Sequence, residues 1–129
     1  MTCTADDVRR LALALPEVYE DTHRGKPTFR VNRKIIAMLH APKPGAPTEG
    51  FFAPLSGTRP VVGLKLDRED QLNFVAAYPQ IVGEAASYGH HGWTHIWLDA
   101  VAPDLLETLI RLAWTNVAPK RLSRLSRPA

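Results

Sequence analysis

The stretch 87–99 constrains the fold more than any other part of the sequence. Gly89 and Gly92 bracket two adjacent histidines, His90 and His91. Because glycine adopts positive φ without strain, this spacing predicts a tight turn. The residues that follow the turn alternate between two chemical types, which predicts a β-strand over 93–98.

The predicted strand 93–98 has two unlike faces. Thr94, Ile96 and Leu98 share the face that is expected to enter the core. The other face carries two indoles and one imidazole, and such large aromatic side chains are unusual on a face that contacts only water. This asymmetry predicts that the second face is a binding surface. Its side chains are those of Trp93, His95 and Trp97.

Helix signals occur at three places in the chain. Thr4 is a good N-cap with Asp7 three residues later, and Pro16 ends this first helix. Asp67 caps a second helix, and Pro103 suits the first turn of a third that ends at 119. The predicted apolar stripes are Leu72, Val75 and Ala76 in the second helix, and Leu106, Leu109, Ile110, Ala113 and Val117 in the third.

Strand signals fill most of the remaining sequence. Residues 17–23 predict an edge strand, and 61–66 predict a further strand. Residues 28–31 and 34–40 predict a hairpin, while 81–82 is only a short apolar patch. The layer rule then predicts an α+β fold, a mostly antiparallel sheet with helices packed on one face of a two-layer sandwich. The other face of the sheet is expected to be open.

Composition limits the class of protein. With 129 residues, of which 45% are hydrophobic, we expect a single domain over 1–129. No apolar run approaches the roughly 18 residues of a membrane span, and the N-terminus does not resemble a secretory signal. Cys3 is the only cysteine, which excludes an internal disulfide and favours a cytoplasmic location without membrane contact.

Two segments differ from the rest of the chain. The segment 41–60 contains five prolines and three glycines, which predicts an irregular loop. The segment 120–129 is a basic tail without an acidic residue, in a chain of net charge +3. Either the tail is only a frayed terminus, or it is an arm that contacts phosphates. Its cations are Lys120, Arg121, Arg124 and Arg127.

Five short motifs stand out along the chain. They are Leu15-Pro16-Glu17-Val18, the run 22–31, Leu64-Lys65-Leu66-Asp67, Gly89-His90-His91-Gly92-Trp93 and Ala118-Pro119-Lys120-Arg121-Leu122. In their order and spacing these motifs resemble the MmcQ/YjbR family of small bacterial proteins. The resemblance implies a CyaY-like (frataxin-like) fold and a DNA-binding-like protein without an established reaction. The long loop 41–60 and Trp97 depart from the family pattern.

The sequence offers little support for catalysis or for a bound cofactor. The adjacent His90 and His91 tend to diverge, and no carboxylate lies at ligand spacing beside them, so we predict no metal site. An iron site on the first helix would need a dense row of acidic side chains, and this helix offers only Asp6 and Asp7. Cys3 has no neighbouring base, and neither a Gly-x-Ser-x-Gly elbow nor a phosphate-binding loop is present. We therefore predict a protein that is not an enzyme and has no cofactor.

The favoured function is DNA binding through the open sheet face and its basic margins. Cations would contact phosphates while an indole stacks on a base or a sugar. The alternative is a protein- or peptide-interaction module that uses the same aromatic face. The tryptophans also have a purely structural interpretation, one under the loop and one over a sheet edge. The predicted binding residues are Arg24, Lys26, Arg30, Lys65, His90, His91, Trp93, His95, Trp97, Lys120 and Arg121.

Overall fold

The helices and strands follow one another in the order that the sequence predicts, with one additional strand. This computed structural model describes residues 3–23, 25–40, 60–85 and 88–122. Arg24, residues 41–59 of the predicted loop and residues 123–129 of the basic tail lie outside the described residues. The elements are α1 (Ala5–Leu13), β1 (Tyr19–His23), β2 (Lys26–Val31), β3 (Lys34–His40), β4 (Val61–Lys65), α2 (Arg68–Ala77), β5 (Val82–Glu84), a 3₁₀ turn (Gly89–His91), β6 (Trp93–Trp97) and α3 (Pro103–Val117).

The strands form a six-stranded sheet in the order β1-β2-β3-β4-β6-β5. All neighbouring strands are antiparallel, and β1 lies at one edge as the sequence predicts. The opposite edge is β5, which begins within the apolar patch 81–82 and was not predicted as a strand. Three residues are too few to show the alternation from which strands are recognised, so only pairing with β6 reveals it.

The helix starts follow local capping chemistry. The Thr4 hydroxyl accepts a hydrogen bond from the Asp7 backbone N–H, and the Asp7 carboxylate accepts one from the Thr4 N–H. This capping box satisfies N–H groups that the first turn of α1 leaves without helical partners. The Asp67 side chain caps α2 by accepting from the Glu69 N–H, and Pro103 occupies the first turn of α3.

The core lies between one face of the sheet and the helices. Alternate residues of the central strands meet α1 and α3 there, and the predicted stripe of α3 is buried except at its last position. Trp114, which the stripe omits, is the largest fully buried side chain of α3, and its Nε1–H donates to the Pro16 carbonyl at 3.0 Å. The α+β fold with helices on one face of an antiparallel sheet is therefore confirmed.

The predicted apolar side of α2 is wrong. Leu72 is 48% exposed, Ala76 is exposed and Val75 is only half-buried. The one buried residue of α2 is Gln71, because its amide reaches backbone carbonyls next to β6. Tertiary hydrogen bonding thus orients this helix.

No helix within the described ranges combines the length and the apolar character that a bilayer crossing requires.

Candidate functional site

The second face of the sheet carries the residues that the alternation of 93–98 predicts. Trp93, His95 and Trp97 alternate along β6 with the core residues Thr94 and Ile96. The prediction that this face is open is wrong at its centre, however. His95 is only 1% exposed, and its neighbours across the sheet are buried or half-buried, so the centre of the face is closed to a large partner.

Two imidazoles lie at the centre of this face, beside Gly63. Gly63 pairs with Met38 on one side and with His95 on the other. The rings of His40 and His95 approach to 5.8 Å between centroids, edge to face. A Cβ at position 63 would lie 3.4 Å from His40 Nε2, so the missing side chain leaves space for the imidazoles.

Burial keeps both imidazoles neutral near pH 7. Desolvation, with Lys26 as a nearby positive charge, lowers the pKa of His95 to about 4. The same two causes, together with His95, lower the pKa of His40 to about 3. Of the predicted binding residues, His95 is therefore a buried, uncharged side chain, and Lys26 is half-buried and close enough for its charge to act on both imidazoles.

Trp97 lies against the sheet edge. A Cβ on Gly83 would be 2.9 Å from the indole of Trp97, so the ring covers this glycine of β5. The structural interpretation of one tryptophan, a cover over a sheet edge, fits Trp97.

Trp93 and Lys65 form a second group where β4 ends and β6 begins. The Lys65 ammonium lies 5.8 Å from the centroid of the Trp93 ring and donates to the His91 carbonyl. Partial burial lowers the pKa of Lys65. The cation and the indole are thus held together near the turn that bears the two predicted histidines.

The Gly89–Gly92 turn is confirmed, and both of its histidines are exposed. The rings of His90 and His91 lie 4.0 Å apart between centroids. Gly92 has φ of 96°, while a Cβ on Gly89 would collide with Glu84. Close approach thus requires glycine at position 89, whereas position 92 requires it for both its positive φ and its close approach to the Leu66 carbonyl.

A hydrogen-bond cluster from α2 supports this turn. The Gln71 amide Nε2 donates to the carbonyls of Gly89 and Trp93, both at 2.9 Å. The Arg68 guanidinium donates to the Gln71 side chain, to the Gly89 carbonyl and to the Glu84 carboxylate. Sequence reasoning missed Gln71 because a buried glutamine has no signature in hydrophobic periodicity.

Two predicted phosphate contacts are engaged in ion pairs. Arg30 Nε donates to the Asp21 carboxylate at 3.0 Å, and its Nη1 donates to the Arg33 carbonyl. Arg121 donates two hydrogen bonds to the Glu17 carboxylate, at 2.9 and 3.4 Å. Glu17 raises the pKa of Arg121. Acidic residues before and within β1 therefore compete with any external anion.

Several cations lie at one end of the sheet, which we call the hairpin end. The β2–β3 turn, the last residue of β4 and the first residue of β6 are all at this end, as the strand registers require. The Asn116 side chain donates to the Lys65 carbonyl, which places the end of α3 there too. The hairpin end comprises Arg33, Lys34, Lys65, His90, His91, Trp93, Lys120 and Arg121.

Sequence reasoning missed Arg33 and Lys34. Both are exposed, and neither takes part in an ion pair within the described ranges. Asn32 and Arg33 have positive φ of 52° and 67°, which is the conformation of a two-residue hairpin turn that follows the strand twist. Residues at the tip of a hairpin project from the sheet. The predicted turn across Asn32-Arg33 was therefore the signal in the sequence that could have identified these two cations.

The described ranges offer neither a metal-binding cluster of three or more side chains nor a reactive cysteine. No group of three or more histidine, cysteine, aspartate or glutamate side chains there is arranged to hold a metal ion. The Cys3 thiol is buried and donates to the Val101 carbonyl at 3.3 Å. Burial raises its pKa, which disfavours the reactive thiolate.

The fold and this end of the sheet define an α+β protein with a basic, partly aromatic edge. The family model named YjbR matches residues 13–116, and the chain therefore belongs to the YjbR family. The family predicted from the five motifs is thus confirmed. The CyaY-like label and the DNA-binding label remain predictions.

A solved structure is similar to this chain over nearly its whole length. It is the crystal structure of the Deinococcus radiodurans protein DR2400, with the family-model domain DUF419. The identity is 21% and the TM-score is 0.69, with 98% of this chain and 86% of that chain covered. Likeness at this identity shows the fold alone. No curated protein matches the chain.

Proposed function

We propose that this YjbR-family chain is a non-catalytic DNA-binding protein that contacts DNA through the hairpin end. The observation that carries the proposal is the meeting of Arg33, Lys34, Lys65 and Lys120 at one end of the sheet. Closely spaced cations on one surface neutralise phosphates and release counterions, which drives sequence-independent binding. The sequence placed the contact on the sheet face, and burial of His95 moves the proposed contact to the end of the sheet.

Aromatic and imidazole groups support the same proposal. Trp93 is half-buried and has a cation beside its ring, while His90 and His91 are exposed on the neighbouring turn. Exposed Tyr88 precedes this turn. Such groups can contact sugars or unstacked bases while the cations contact phosphates. A DNA partner would also fit the cytoplasmic location predicted from composition.

The proposal is tested by measuring DNA affinity over a salt series. Fluorescence anisotropy with a short labelled duplex of random sequence should show binding at low salt. Three or four phosphate contacts predict a slope of log K against log salt of about −3. The double variant Arg33→Gly/Lys34→Ala should reduce this slope by about two, because each lost phosphate contact removes about one. Glycine at position 33 suits the positive φ of the turn.

A matched control removes two cations elsewhere. Arg9 and Arg111 lie on the helices and are paired with carboxylates, so Arg9→Ala/Arg111→Ala should leave the slope nearly unchanged. Equal loss in both double variants would mean that binding follows net charge and not the hairpin end. Absence of binding to duplex and to single strand at low salt would reject DNA and leave the protein-interaction alternative.

A further inference from the structure

Glu17 forms an ion pair with Arg121 at the hairpin end. Its carboxylate accepts two hydrogen bonds from the Arg121 guanidinium, at 2.9 and 3.4 Å. Guanidinium binds carboxylate and phosphate through the same forked geometry. The carboxylate therefore presents to Arg121 what a DNA phosphate would present.

The backbone of Glu17 is in an uncommon conformation. Its φ is +60°, in the left-handed region that favours glycine or asparagine. The preceding residue is fixed by the hydrogen bond from Trp114 to the Pro16 carbonyl. A glutamate kept at such a position points to a role for its side chain, and the contact that this side chain makes is with Arg121.

This pair is exchangeable, whereas the other arginine–carboxylate pair near the hairpin end is not. The side chains of Arg121 and Glu17 are 68% and 55% exposed, and water screens the attraction in exposed ion pairs so that they contribute little to stability. Arg30 is only 20% exposed and is held by both Asp21 and the Arg33 carbonyl. DNA phosphates can thus displace the Glu17 carboxylate at little cost, while Arg30 stays in the sheet.

We propose that Glu17 is an intramolecular competitor of DNA phosphate, which engages Arg121 in the free protein and releases it when DNA binds. This inference rests on the proposed function of the hairpin end. The exchange weakens binding at equilibrium, because each DNA contact by Arg121 must first break an internal pair. It also makes Arg121 a phosphate contact in the bound state, as the sequence predicted.

The proposal predicts that removing the Glu17 charge strengthens DNA binding. Glu17→Gln should lower Kd by about threefold or more at low salt and steepen the salt slope by up to one, since Arg121 is freed. Glu17→Asn, which suits positive φ, should act in the same way. The gain should vanish in Glu17→Gln/Arg121→Ala.

The matched control is Glu107→Gln, which removes the same charge from an exposed pair with Arg111 on α3. Anisotropy with the random-sequence duplex compares all variants, and thermal unfolding verifies that each is folded. If Glu17→Gln binds no tighter than Glu107→Gln, or if its gain persists without Arg121, the competitor role is overturned while DNA binding stands. If the wild type binds no DNA, both the competitor role and the proposed function are overturned.

Discussion

Gly92 and Gly25 both have positive φ, but a side chain would meet different surroundings at the two positions. At Gly92, with φ of 96°, a Cβ would lie 2.1 Å from the Leu66 carbonyl oxygen. That oxygen is backbone, which cannot rotate away, and the Leu66 N–H donates to the Gly92 carbonyl at 2.9 Å. At Gly25, with φ of 79°, no atom lies within 4 Å of the Cβ position.

Alanine substitutions at the two glycines should therefore differ in their effect on stability. Gly25→Ala should cost about 1 kcal/mol, the penalty of the left-handed conformation alone. Gly92→Ala should cost about 3 kcal/mol or more, because the collision with the Leu66 carbonyl is added to that penalty. Urea unfolding of both variants measures the difference. Equal losses would show that the turn moves away from Leu66 without strain.

At the scale of elements, α2 is oriented by hydrogen bonds and not by an apolar stripe. Gln71 is fully buried and contacts the Gly89–Gly92 turn and the start of β6. Leu72, which the periodicity places in the core, is largely exposed. The end of α2 also carries a stacked pair, Phe74 and Tyr78, with ring centroids 6.2 Å apart. The turn with its two histidines therefore depends on a polar residue of a distant helix.

Replacing Gln71 by alanine should destabilise the protein and loosen the histidine turn. The carbonyls of Gly89 and Trp93 each lose one donor but keep others, the Arg68 guanidinium and the Gly92 N–H for Gly89 and the Ala85 N–H for Trp93. Each lost hydrogen bond contributes about 0.5–1.5 kcal/mol, so we expect a loss of about 1–3 kcal/mol in urea unfolding. Asn73→Ala, on the exposed side of the same helix, should change stability by less than about 0.5 kcal/mol. A loss in Gln71→Ala no larger than that of Asn73→Ala would contradict this role.

For the whole molecule, the sheet brings His40 and His95 together from strands that are far apart in sequence. Both have pKa values well below the ordinary value near 6.5, about 3 and about 4. The unfolded chain takes up protons on both imidazoles below about pH 6.5, whereas the folded chain does not until the pH approaches 4. Stability is therefore complete above about pH 6.5 and falls as the pH decreases toward 4.

This linkage predicts a steep loss of stability under mild acid. Two protons are taken up only on unfolding, so the free energy of unfolding should fall by at most about 2.7 kcal/mol per pH unit near pH 5. His95→Gln should reduce this slope by about half. Urea unfolding at several pH values measures the slope, and NMR titration of the imidazole protons tests it without unfolding. Titration of either imidazole near pH 6.5 in the folded protein would contradict the linkage.

Sequence patterns that extend over only a few residues predicted most of the helices and strands. The strand 93–98, the last helix and the hairpin across Asn32 have regular periods or strong turn and capping residues, and all three are confirmed. The strand β5 was missed because it is too short to have a period. The apolar side of α2 was wrong because its orientation depends on carbonyls elsewhere in the chain.

The candidate site was predicted less well than the fold. Trp93, Lys65 and the two turn histidines do lie near one another, because one turn and two paired strands join them. The sequence did not predict that His95 is buried, or that Arg121 is paired with Glu17 across 104 positions. Burial and ion pairing of this kind depend on which distant groups meet, and alternation along one strand contains no information about them.

Alternation, capping and turn chemistry act over a few residues, so local patterns alone determined the family, the two faces of β6 and every element except β5. The tertiary structure alone decided which polar groups are buried, which arginines are ion-paired and which cations meet at the hairpin end. Solvation and Coulomb energies depend on distance in space, and the antiparallel sheet places residues such as 40 and 95, or 17 and 121, side by side. The proposed binding surface consequently lies at the hairpin end and not on the sheet face.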